Sequence, residues 1–273
     1  MLIIKNSGKF VLLIKIYNVK TGFLMISIIF CSIDQIKAEK TRRQYLDMLG
    51  EELHEIIVIE NARSLSEAYN RGLNQAKGDI IILSHDDIEF LQPSAWLSKI
   101  KSHLDSFDLI GLAGTTKLIG PAWAQAGPPN TFGQVAEINS EGEPYRVLIF
   151  GTPLSVVPDI QAVDGLFMAL KKDVADKVRF DENFFDGFHC YDIDFSFSVY
   201  KAGFRLGVAT DIPVLHASQG KFEEIWRMYA QRLYDKHKAD LMPRRNRPFQ
   251  HACVTALNKE ELLEIMSAPA IIK

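Results

Sequence analysis

Gly78–Asp87 reads GDIIILSHDD. The apolar run from Ile80 to Leu83 lies between a glycine and a group of acids, the pattern of a short strand buried on both faces of a parallel sheet. Asp86 and Asp87 then fall at the C-terminal end of that strand, the edge at which open α/β sheets bind ligands because the loops diverge there. Adjacent carboxylates repel unless a proton or cation lies between them, so a divalent metal carrying a phosphorylated ligand accounts for the pair. An acidic turn capping the following helix is the competing structural reading.

Upstream, Ile26 to Cys31 reads as the first strand, followed by a Ser32 to Asp34 loop and a polar helix from about Gln35 to Leu49. Glu55 to Glu60 gives a second strand, and Ser64 with Glu67 forms a capping box for a helix carrying Ala68, Tyr69, Leu73 and Ala76. Three strands alternating with two helices predict right-handed parallel crossovers. The first strand is followed by neither GxGxxG nor GxxxxGK[ST], so a dinucleotide fingerprint and a P-loop are both missing. Residues 1–24 are apolar but interrupted by Lys5, Lys9, Lys15 and Lys20, which breaks both a membrane span and a signal peptide. They read as an N-terminal extension, with a basic membrane-touching arm as the rival use.

Downstream, Pro93 opens a helix over Trp96 to Leu104, and Leu109 to Ala113 reads as a strand. Gly114 to Pro144 holds five glycines and four prolines in 31 residues, a composition that predicts an irregular lid or loop. Trp123 inside it is read equally well as a platform for a sugar ring and as a loop anchor. The turn residues of Asn139 to Glu143 predict a hairpin that ends near Phe150. Gln161 to Leu170 is strand-like, and Asp164-Gly165 interrupts it, marking a bulge or a close approach to the backbone. Tyr191 to Ala202 has helical spacing, with Phe195 and Val199 on one side. Phe222 to Tyr234 reads as an amphipathic helix with basic residues Arg227, Arg232, Lys236 and Lys238, and Arg244, Arg245 and Arg247 follow. That run is a solvated face, a pyrophosphate contact or an anionic-membrane contact.

The net charge of -3 excludes nucleic-acid binding through a global basic excess. Three dispersed cysteines without a CxxC predict neither a disulfide framework nor a zinc site, and suit a reducing cytoplasm. Asp192 and Asp194, two apart at a helix start, point to different sides, so one is a base candidate and the other a support. The helix dipole keeps such a carboxylate ionised, and a plain capping role is the alternative. His216, at a strand end, reads as a core histidine or as a metal ligand.

SEAYNRGLNQAKGDIIILSHDD, VDGLFMALKK, FHCYDIDFSFSVYKAGFRLGV and VLHASQG, in that order, resemble glycosyltransferase family 2, in particular its streptomycin-biosynthesis-type subgroup. The resemblance runs from about Ile26 to Gly220. It implies a GT-A fold: an α/β, Rossmann-like, mainly parallel central sheet flanked by helices, with a small hairpin or loop insertion. Residues 25–220 would form the transferase domain and 221–273 a helical, partly basic extension.

The activity implied is metal-dependent, inverting transfer from a nucleotide-sugar donor to a glycan, lipid-linked or small-molecule acceptor. It implies Mn2+ or Mg2+ as cofactor, and work in polysaccharide biosynthesis in the cytoplasm or at the inner membrane face. A non-catalytic sugar-binding domain and a nucleotidyltransferase are the alternatives. By the resemblance, Asp87 and His216 hold the metal and Asp192 is the base. His85 stands where the family's first acid would be, and Tyr191 where a glutamate precedes the catalytic aspartate. Ser32, Glu60, Asn61, Asn70, His85 and Asp86 would surround the donor nucleotide. Trp123, Asp164, Gly165, Tyr191 and Asp194 would contact sugar or acceptor.

Overall fold

The computed structural model describes residues 4–6, 9–11, 24–138, 144–151, 154–218, 223–243 and 252–267. Two three-residue strands, β1 (Ile4–Asn6) and β2 (Lys9–Val11), pair with each other antiparallel. Then come β3 (Ile26–Cys31), α1 (Gln35–Leu49), β4 (His54–Ile59), α2 (Leu65–Gln75) and β5 (Ile80–Ser84), with β4 and β5 flanking β3 in parallel. These are the crossovers the strand-helix alternation predicts. Asp34 caps α1 by accepting from the N–H groups of Ile36 and Lys37. Ser64 caps α2 by accepting from Glu67 N–H at 3.1 Å, while the Glu67 carboxylate accepts from Arg63 N–H at 3.2 Å. Each such cap contributes about 1 kcal/mol.

All five residues of β5 are buried, as are Ile26 to Phe30 of β3. Burying each large apolar side chain contributes about 1.5–3 kcal/mol. The strands are therefore covered on both faces. A Cβ on Gly72 would stand 2.3 Å from Ile29 Cγ2, so this glycine lets α2 lie directly on β3.

The chain continues through β6 (Ile88–Phe90), α3 (Trp96–Ser106), β7 (Leu109–Gly111), β8 (Ala113–Thr115), a 3-10 turn (Trp123–Ala126), β9 (Thr131–Ile138) and β10 (Tyr145–Gly151). Next are β11 (Val156–Ile160), β12 (Ala162–Val163), β13 (Phe167–Lys171), α4 (Lys172–Lys177) and α5 (Tyr191–Lys201). The described elements end with β14 (Leu206–Ala209), β15 (Val214–His216), α6 (Glu224–His237), β16 (Ala252–Ala256) and α7 (Lys259–Ser267).

One sheet has the order β11-β14-β7-β13-β5-β3-β4. It is more mixed than a mainly parallel sheet, because β13 enters antiparallel to both β5 and β7, and β11 is antiparallel to β14. A second sheet has the order β12-β8-β9-β10-β16, with β15 paired to β9 on one side and β6 on the other. Among the direct passages of the chain between the sheets are those from β5 to β6, from β7 to β8, from β12 to β13, and from β14 to β15. The segments that make these passages form a seam, and the candidate site lies along it.

Gly114 to Pro144 is not a wholly irregular lid. Thr131–Ile138 is an interior strand of the second sheet, paired to β8, β10 and β15. Glycine content misled here: Gly133, at φ +124°, serves a strand by passing 2.7 Å from Ala113 Cα at the position its Cβ would fill. The expected hairpin is formed by β9 and β10, with Ile138 opposite Tyr145, while its turn at 139–143 lies outside the described residues. Arg244, Arg245, Arg247 and Phe222 also lie outside them.

Two of the four basic residues named for the helix are paired within the fold. Arg232 pairs with Asp186 at 2.6 Å, and Lys236 pairs with Asp181 at 2.7 Å and with Asp194 at 2.8 Å. No helix among the described residues is long and apolar enough to cross a membrane.

Candidate active site

Helix α1 holds the passage from β5 to β6 from one side. Tyr45 donates to Ser84 Oγ at 2.8 Å, Thr41 to the Asp86 carbonyl at 2.7 Å, and Gln44 to the Ile88 carbonyl at 3.1 Å. Gln44 and Tyr45 both stand one turn after Thr41, so the three side chains together fix the backbone of the acidic segment. The two carboxylates then separate. Asp86 turns toward the end of β3 and accepts from Ser32 Oγ at 2.5 Å, whereas Asp87 turns toward β15. They do not share one cation as the bare DD pair suggests, because both lie in the turn between β5 and β6 and are drawn to partners on different strands.

β15 brings His216 opposite Ile88, next to Asp87, and Ala217 N–H donates to the Asp87 carbonyl at 2.9 Å. His216 Nε2 lies 3.2 Å from Asp87 Oδ1 and 3.4 Å from His85 Nδ1, and His85 Nδ1 lies 4.0 Å from Asp87 Oδ1. The three ligand atoms lie within 4.8 Å of one another. His85, which the sequence puts among donor contacts, stands here with the ligand atoms, and the signal for it is its place where the family's first acid would be.

Burial works to raise the Asp87 carboxyl, but the His216 hydrogen bond and charge overcome it and hold the group well below the usual range. His216 is raised: burial opposes its charge, and Asp87 outweighs burial. Burial, with the charge of His216, lowers His85. The cluster thus sets an ionised carboxylate beside two imidazoles that are shifted in opposite directions. Two borderline nitrogens and one carboxylate oxygen, all partly accessible, form a donor set that fits a divalent cation.

The passage from β12 to β13 supplies the opposite wall. Asp164 accepts from Trp123 Nε1–H at 2.9 Å and from Leu166 N–H at 3.0 Å. Trp123 is buried, with its ring edge-on to Phe150 at 4.6 Å, so it orients Asp164 and offers no open face for stacking on a sugar. Gly165 N–H donates to Asp192 Oδ2 at 2.9 Å.

Asp192 stands in the first turn of α5, after Cys190 in a left-handed conformation at φ +59°. Burial and then the Asp164 carboxylate push Asp192 up to about 7, while backbone N–H groups of Ile193 and Gly165 pull it down. The side chain is half-buried, so it has access to a reactant. A Cβ on Gly165 would stand 2.5 Å from Tyr191 Oη and 2.7 Å from Asp192 Cβ. Gly165→Ala is expected to displace both side chains and cost about 10²-fold in turnover, measured under saturating substrates.

Asp194 faces away from this site, contrary to a role in sugar contact. It is buried, lies 2.7 Å from His237 Nε2, and joins Lys236, tying α5 to α6. Asp194→Ala leaves Lys236 its Asp181 partner but strips the buried His237 Nε2 of its hydrogen bond, and denaturant unfolding is expected to show a loss of about 1–3 kcal/mol.

Asn70 also departs from its expected donor contact. Its amide donates to the Phe180 carbonyl at 2.9 Å and accepts from Phe180 N–H at 3.1 Å, which uses it as a cross-link. Glu60 and Asn61 are exposed at the end of β4, beside Ser32, whose N–H donates to the Ile59 carbonyl at 3.1 Å.

The mixed sheet is flanked by helices, and the cluster stands beyond the C-terminal end of β5, completed by His216 from the second sheet. Residues 27–247 match the family described as glycosyltransferase like family, and the chain belongs to it. It is 25% identical over 170 residues to the streptomycin biosynthesis protein StrF of Streptomyces griseus, which covers 61% of this chain and 57% of that protein. Among solved structures it is similar to the mannosyltransferase PcManGT from Pyrobaculum calidifontis in complex with GDP-Man and Mn2+. That similarity has a TM-score of 0.49 at 13% identity, covering 82% of this chain and 66% of the other. The chain therefore spans less than two thirds of the length of either relative.

Proposed function

We propose that this chain transfers a sugar from a nucleoside-diphosphate sugar to a hydroxyl acceptor, with inversion at the anomeric carbon. The observation that carries the proposal is the half-buried Asp192 carboxylate, raised to about 7, set across the seam from the His85, Asp87 and His216 cluster. Asp192 takes the proton of the acceptor hydroxyl as its oxygen forms a bond to the anomeric carbon. The bond from that carbon to the diphosphate oxygen breaks, and the diphosphate leaves with the electron pair. Asp87, His216 and His85 would hold a divalent cation, which would supply positive charge to offset that of the leaving group. Gly165 N–H aims the base, and Trp123 holds Asp164 beside it. Ser32 with Asp86, and the exposed Glu60 and Asn61, would meet the nucleoside, a reading supported by their position at the ends of β3 and β4.

Two imidazoles in the donor set favour a first-row transition ion over magnesium, which prefers oxygen ligands. Manganese is therefore expected to support more nucleoside diphosphate release than magnesium at equal concentration. The test is to measure that release with a panel of nucleotide sugars and hydroxyl acceptors, and to read the product anomer by NMR. No release with any donor, or retention of the anomeric configuration, defeats the proposal.

A further inference from the structure

The two residues that depart from the family pattern touch each other. His85 Nε2 and Tyr191 Oη are 2.8 Å apart, although the residues are 106 positions apart in sequence. Tyr69 Oη donates to the Ser84 carbonyl at 3.2 Å, and its ring packs beside that of Tyr191 with centroids 5.9 Å apart. For His85 to present a lone pair at Nδ1, its ring proton must lie on Nε2, and the Tyr191 hydroxyl oxygen is the acceptor within reach of that nitrogen. Tyr69 and Tyr191 are both buried, which keeps water from competing for the contact.

A neutral imidazole protonated at Nε2 carries its lone pair on Nδ1. Nδ1 is the atom that faces His216 Nε2 at 3.4 Å and Asp87 Oδ1 at 4.0 Å. Gly165 completes the arrangement, since any Cβ there would stand 2.5 Å from the Tyr191 hydroxyl.

We infer that Tyr191 is a positioning residue: its hydroxyl sets the tautomer and tilt of His85 so that Nδ1 points into the ligand cluster. The histidine in place of an acid and the tyrosine in place of a glutamate are then one coupled change. The inference rests on the metal reading proposed above.

The test is manganese binding by calorimetry to the full chain without donor, in a double-mutant cycle of Tyr191→Phe and His85→Ala. Tyr191→Phe keeps the ring packed against Tyr69 and Phe180 and removes only the hydroxyl. It is expected to weaken manganese binding about 10- to 100-fold, the usual effect of losing an outer hydrogen bond to a ligating histidine. In the His85→Ala background the same change is expected to shift affinity by less than about 2-fold, because no imidazole is left to orient. An equal loss in both backgrounds assigns Tyr191 a purely structural role and overturns the inference, as does undiminished binding by Tyr191→Phe alone.

The 15N spectrum of His85 in the metal-free chain separates the inference from the metal reading. The Nε2–H tautomer is expected in the wild type and a tautomer mixture in Tyr191→Phe. A wild-type chain that shows this tautomer but binds no manganese overturns the metal reading while the positioning contact stands. A wild-type Nδ1–H tautomer overturns the contact's role.

Discussion

Asp192→Asn is expected to lower transfer about 10²- to 10⁴-fold while manganese binding stays near the wild-type level. The asparagine keeps the shape and can still accept from Gly165 N–H, but it cannot take a proton from the acceptor. Asp192 is not among the His85, Asp87 and His216 ligands, so its loss should leave the cation site filled. The wild-type rate should fall as pH drops through about 7, because the base works only when deprotonated and its carboxyl is raised to about that value.

Stability should move the opposite way. A carboxyl raised on folding binds more protons in the native than in the unfolded chain between the unfolded value and about 7, so native stability falls as pH rises through that window. Asp192→Asn should therefore melt higher than wild type at pH 8, with the gap closing toward pH 4. Near-normal turnover by Asp192→Asn, or a pH-independent rate between 5 and 8, would count against Asp192 as the base.

Asp87→Ala is expected to remove metal-dependent donor binding and to lower nucleoside diphosphate release by more than about 10²-fold. Asp87 is the sole carboxylate of the cluster, and the two histidines left behind have no anion to offset the charge of a divalent ion. Asp86→Ala should have a much smaller effect on manganese affinity, since its carboxylate turns to Ser32 at the end of β3. Calorimetric titration of manganese into each variant distinguishes the two acids. Release that persists in excess chelator, or equal losses from Asp86→Ala and Asp87→Ala, would show that the cluster does not hold the working cation.

The strands from Ile26 to Ser84 and the helices between them were legible in the sequence because buried runs, caps and crossover lengths are local properties. The same holds for Asp192 and Asp194, whose spacing alone puts them on different helix faces. Order along the chain also carried the family likeness, and the family match over residues 27–247 bears it out.

What the tertiary structure decided is everything that depends on distant partners. Phe167–Lys171 looks locally like any buried strand, and only its pairing with Ile80–Ser84 and Leu109–Gly111 makes the sheet mixed. Asp164-Gly165 was visible as a break, but not as a passage between two sheets. Thr131–Ile138 was hidden by its glycine, whose positive φ is a packing requirement set by Ala113 across the ladder. Trp123 became an orienting donor because Asp164, 41 residues away, lies under its indole N–H.

His85 is the sharpest case. Its neighbours in the sequence mark it as a substitute for an acid, whereas its partners are His216, 131 residues on, and Tyr191, 106 residues on. Whether an imidazole is a ligand, a donor contact or a core residue depends on which lone pair its surroundings leave free, and those surroundings are assembled only when the chain folds.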